Sequence, residues 1–109
     1  MDLVDLTSWV ASSPSRAAVH FEIRHRVVHA GMSFDSVQTD VMRRLGIIHL
    51  DVDVALHDGV IREHYEIWEP HAGWFAVIAG TDTVGKRISV KVILPSDTAA
   101  PVLIVGLTR

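Results

Sequence analysis

"GVIREHYEIWEPHAGWFAVIAG", residues 59–80, contains the change of rhythm from which the fold is read. Before Gly59 the apolar residues recur at helical spacing, and after it they alternate or run together as strands do. Residues 60–69 predict one strand and Pro70-His71-Ala72-Gly73 a tight turn. Trp74 to Ala79 is almost wholly apolar and predicts a central strand. The same stretch carries His64, Tyr65, Glu66, Trp68, His71 and Trp74, the densest run of polar aromatics and titratable groups in the chain.

Toward the C-terminus, Thr81 to Arg87 reads as a polar loop containing Gly85. Ile88, Val90, Val92 and Leu94 then alternate with Ser89, Lys91 and Ile93, the pattern of a sheet with one dry face. A loop from Pro95 to Pro101 leads into an aliphatic strand, Val102 to Thr108. Toward the N-terminus, Asp51 to His57 predicts a short helix with Val52, Ala55 and Leu56 inward. Ser33 reads as the cap of a longer helix, with Val37, Val41 and Leu45 as its apolar stripe. Arg43 and Arg44 suit the negative end of that helix, and Gly46 its left-handed stop.

Residues 16–30 carry two patterns at once. Val19, Phe21 and Ile23 alternate like a strand, while Glu22 to Ala30 reads as a helix closed by Gly31. We therefore expect a short strand running into a helix. Leu3, Leu6 and Val10 predict a first helix over residues 3–11, stopped by Ser12-Ser13-Pro14. Helices first and hairpin-linked strands after them predict an α+β domain. In it, N-terminal helices pack on one face of a mainly antiparallel four-stranded sheet. The expected core includes Val37, Val41, Leu45, Val77, Val90, Val92 and Ile104.

A length of 109 residues sets one domain with enough chain to build a core. The absence of cysteine excludes disulfides and thiolate zinc sites. No apolar run reaches the length of a membrane span, and MDLVDLTSWV lacks the pattern of a signal peptide. The expectation is a soluble, cytoplasmic protein without a membrane partner. Five basic and seven acidic residues precede residue 54, and five basic and six acidic follow it. Neither half is a basic arm, which argues against tight nonspecific binding of nucleic acid.

Two segments carry a resemblance: GMSFDSVQTDVMRRL (31–45), and VALHDGVIREHYEIWEPHAG (54–73) with GKRISVKVILP (85–95) and PVLIVGL (101–107). Together they resemble the RelE-like superfamily of small bacterial toxins, its MqsR-type mRNA interferases, and a related uncharacterised bacterial domain family. The resemblance implies cleavage of mRNA without a cofactor or metal, the RNA's own 2′-hydroxyl attacking while side chains move protons and steady the phosphate. It also implies an antitoxin-type protein partner covering the sheet groove. The family's helix-end lysine falls on Leu56 and His57, and its next-strand glutamine near His64 or Tyr65. Its tyrosine falls on Ser89 with Lys91 two residues on, and its last-strand lysine near Thr108 or Arg109. The identities differ at each place, so His57, His64, Tyr65 and Lys91 stand as catalytic candidates by substitution. Arg62, Trp68, Lys86, Arg87 and Arg109 stand as RNA-binding candidates.

Each candidate also has a plainer reading. His57 is equally a cation at a helix C-terminus. His64, Glu66 and Trp68 alternate on one strand face beside Arg62, either as a base-stacking groove or as the wet side of the sheet. Lys91 either faces RNA or solubilises the sheet. Glu22, His25 and His29 have helical spacing that two histidines can use to hold a metal, but no HExxH accompanies them. Asp51, Asp53 and Asp58 lack the glycine and glutamate of a calcium loop. GTDTVGK, residues 80–86, has Arg87 where a phosphate loop needs Ser or Thr. Two functions stay open: a metal-independent endoribonuclease toxin, or a noncatalytic protein- or RNA-binding module on the same fold, possibly a homodimer.

Overall fold

The computed structural model describes residues 14–68 and 72–109. The helix expected over residues 3–11, and Pro70 and His71 of the turn expected at residues 70–73, lie outside these. The described elements run α1 (Arg16–His29), β1 (Met32–Phe34), α2 (Ser36–Leu45), α3 (His49–Asp58), β2 (Val60–Ile67), β3 (Gly73–Thr81), β4 (Arg87–Pro95) and β5 (Val102–Thr108). None of the described helices is long and apolar enough to cross a membrane.

The α+β class holds, but the sheet has five strands and is mixed. Its order is β1-β5-β4-β3-β2. β2 to β5 form the expected antiparallel run, and β1 adds to β5 in parallel, Met32 opposite Val102 and Phe34 opposite Ile104.

Local chemistry sets the helix ends. Ser15 accepts from the Ala18 amide at 3.1 Å and starts α1, which is helical from Arg16, so the short strand expected at Val19–Ile23 is helix instead. The inward line of α1 is Val19, Glu22, Ile23 and Arg26. The alternation of Val19, Phe21 and Ile23 was therefore a coincidence on a helix whose buried face includes two charges. Ser33 lies in β1, and the cap of α2 is Asp35, which accepts from the Gln38 amide at 2.8 Å. The buried line also lies one residue on from the expected stripe. Gln38 and Met42 are buried, Val41 and Leu45 pack at the flank, and Val37 is 61% exposed. Gly46 ends α2 at φ 68, the left-handed conformation that costs glycine least.

α3 lies across β3 and β4, α2 on β5, and α1 against α3. All three cover one face of the sheet. That face presents Trp74, Ala76 and Ile78 of β3, and Ile88, Val90, Val92 and Leu94 of β4, all buried. Val92 and Ile104 are core as expected, whereas Val77 points to the other face and is half-buried. Each fully buried aliphatic side chain contributes about 1.5–3 kcal/mol, so this layer dominates stability. Gly59, where the rhythm changes, is pressed between helix and sheet. A Cβ there would meet the Ala55 carbonyl and lie 2.7 Å from Ile78 Cγ2 and 2.9 Å from the Ala79 oxygen.

Two bulges interrupt the ladders. One lies between Ile61 and Glu63 and leaves Arg62 unpaired on the outermost strand. The other, opposite Lys91 and Val92, leaves Val105 unpaired. Gln38 of α2 donates to the Val105 carbonyl at 3.1 Å and fills that gap.

Candidate nucleic-acid interface

Strand register gathers distant residues at one end of the sheet. Val60 pairs with Ala79, Ala79 with Ser89, and Ser89 with Thr108, so four strands meet in one row. Around this row is a cleft of about 540 Å³, walled by Arg62, Arg87 and Arg109, with Asp58 and the hydroxyls of Thr81, Ser89 and Thr108. Arg62 reaches it from the bulge and Arg87 from the first position of β4. Both are exposed, and neither guanidinium has a bonding partner among the described residues.

Arg109 is differently placed. Its Nη1 donates to Asp82 Oδ2 at 2.8 Å and its Nε to the Leu45 carbonyl at 3.0 Å. It clasps α2 to the β3–β4 loop and forms a fixed wall, its charge offset by Asp82. The free charge of the cleft is therefore Arg62 and Arg87 against Asp58.

Asp82 also accepts from the amides of Val84 and Lys86, each at 2.9 Å. Burial alone would raise its pKa, but the Arg109 guanidinium and the two amides outweigh it and hold the carboxyl below the ordinary 3.8. Asp51 is lowered too, first by the Ile48 amide and then by the amide and hydroxyl of Thr83. Carboxyls lowered by folding stabilise the protein above their ordinary value, and that contribution disappears as pH falls through the folded values. The stability gap between wild type and Asp82→Asn should therefore be wide near neutrality and narrow as pH falls below the ordinary 3.8, read as urea midpoints. An unchanged gap would show that the carboxylate charge contributes nothing.

The remaining candidates divide between the two faces and the helix ends. Ile61 is inward, and simple alternation from it would put His64, Glu66 and Trp68 on the open side. The bulge at Arg62 shifts the parity, so His64 pairs with Ala76 and Glu66 with Trp74 on the helix side. His64 Nε2 lies 2.9 Å from the Pro14 carbonyl, and its ring tilts against Trp74 at 6.4 Å. Tyr65 faces the open side instead, 4.9 Å from the ring of Phe75. Lys91 is on that open face, its stem over Gly106, where a Cβ would lie 2.9 Å from Lys91 Cδ. His57 is exposed at the end of α3, and its carbonyl accepts from Arg24 Nη2 at 2.6 Å. Trp68 is 62% exposed just beyond β2, and Lys86 is exposed in the β3–β4 loop.

Thus Arg62, Arg87 and Arg109 come together, while His57, His64, Tyr65 and Lys91 do not form one constellation. Glu22 turns into the core toward Arg26 at 2.8 Å, away from any shared site with His25 and His29, whose rings are 4.3 Å apart. Sequence reading missed the cleft hydroxyls, Glu63 and Phe75, because only strand register brings them into use. It also missed His20, whose Nε2 lies 2.6 Å from the Leu56 carbonyl between α1 and α3, burial lowering its pKa.

No family model matches this chain. No curated protein and no solved structure is significantly similar to it either.

Proposed function

We propose that the protein binds single-stranded RNA, taking a backbone phosphate between Arg62 and Arg87, and holds the strand without cutting it. The observation that carries this reading is the convergence of those two unpaired guanidiniums and three hydroxyls on one cleft. Guanidinium offers a phosphate two parallel donors, and hydroxyls add neutral ones. Cleavage needs a proton acceptor and a donor near the same phosphate. Neither His57 nor His64 is among the cleft residues.

A labelled oligoribonucleotide titrated with protein tests this. Binding through one phosphate should weaken with salt at a log–log slope of about −0.7. Arg62→Glu and Arg87→Glu should each weaken it by about tenfold or more, with the RNA recovered intact. Absence of binding at low salt would refute the proposal. Cut RNA that persists in chelator would replace it with the endoribonuclease reading.

A further inference from the structure

The face of the sheet opposite the helices carries a pattern that the RNA reading does not use. Among the described residues no helix lies over it. Its cross-strand rows follow from register. One row is Tyr65, Phe75, Ile93 and Leu103, all apolar but for one hydroxyl. The next is Glu63, Val77, Lys91 and Gly106. Glu63 and Lys91 are exposed, and neither makes an ion pair among the described residues. They stand one strand to either side of β3, about 9.6 Å apart at ordinary strand spacing.

We infer that this face docks a second copy of the chain, sheet on sheet, about a twofold axis running along β3. Such an axis exchanges the two sides of β3 and keeps each row level with itself. Glu63 of one copy then lies over Lys91 of the other, and the same pair forms twice. Phe75 meets its own counterpart, Val77 does likewise, and Tyr65 lies over Ile93. Both the charge and the apolar pattern are therefore self-complementary, as an isologous interface requires. The spacing suits aligned sheets, which pack about 10 Å apart and cross at about 30°. The cleft lies at the strand ends, where sheets crossed at that angle diverge.

A twofold axis across the strands fails this test. Placed on the charged row, it would set Glu63 on Glu63 and Lys91 on Lys91.

Sedimentation equilibrium of the whole chain tests the inference without RNA, so its outcome is independent of the RNA reading. The expected mass is twice the 12.0 kDa protomer. Glu63→Lys alone and Lys91→Glu alone should each weaken association by about tenfold or more, because each sets like charges face to face twice. The double exchange, Glu63→Lys with Lys91→Glu, should restore it. Circular dichroism should be the same for all four proteins, since both sites are exposed. A wild type that stays monomeric up to near-millimolar concentration would overturn the inference. So would a double exchange that leaves the chain monomeric although folded.

Discussion

Glu22→Ala or Arg26→Ala alone should destabilise the fold by about 3–5 kcal/mol, because each leaves a buried charge without its partner. Both side chains are fully buried on α1, joined by the 2.8 Å bond from Arg26 Nε to Glu22 Oε1. The pair is already short of bonds. Glu22 Oε2 and both Nη atoms of Arg26 are buried with no partner among the described residues. Low dielectric strengthens the one bond made and raises the cost of those unmade. A loss of this size is a large part of a typical stability of about 5–15 kcal/mol. The joint replacement, Glu22→Leu with Arg26→Met, should differ from wild type by under about 1 kcal/mol or be more stable, since apolar groups of similar volume need no bonds. Urea unfolding of the three variants measures both effects. Single-variant losses below about 1 kcal/mol would mean that water reaches the pair.

Ile78→Ala should cost about 2–5 kcal/mol, the transfer free energy of the lost carbons plus the cavity they leave. Ile78 is wholly buried on the helix side of β3, against the end of α3 at Gly59. Val77→Ala, one residue earlier, should cost the monomer under about 1 kcal/mol, because that half-buried side chain stands on the face that no described helix covers. Denaturant melts at low protein concentration compare the two. Equal losses would show that a second layer covers the sheet.

These contrasts mark what could be read from sequence. The strands after Gly59 were legible because alternation is local: Ile88, Val90, Val92 and Leu94 are buried whatever lies nearby. β1 was not legible. Three residues are too few to show a period, and their partners, Val102 to Ile104, lie seventy positions along the chain. α1 was half legible, because an ion pair inside the core breaks the apolar stripe that periodicity detects. α2 was read one step out of phase, because its buried line includes the polar Gln38, which reaches the Val105 carbonyl, while the apolar Val37 is exposed. For the candidate site, residue types were informative but positions were not. One unpaired residue at Arg62 turned His64 inward and Tyr65 outward, and no sequence signal marks that bulge. The cleft arginines were named individually from their charge. Only the register of three hairpins put them around one space.

The same bulge bears on how chains of this kind stay apart. Among the described strands β2 is an outer edge of the sheet, with a row of amides and carbonyls that another molecule's strand could join. Arg62 breaks the spacing of that row, and Glu63 and Glu66 add charge along it. The opposite edge, β1, is only three residues long. Neither margin is a good template for strand addition. Crowded or partly unfolded copies are thus hindered from zipping together edge to edge into fibres.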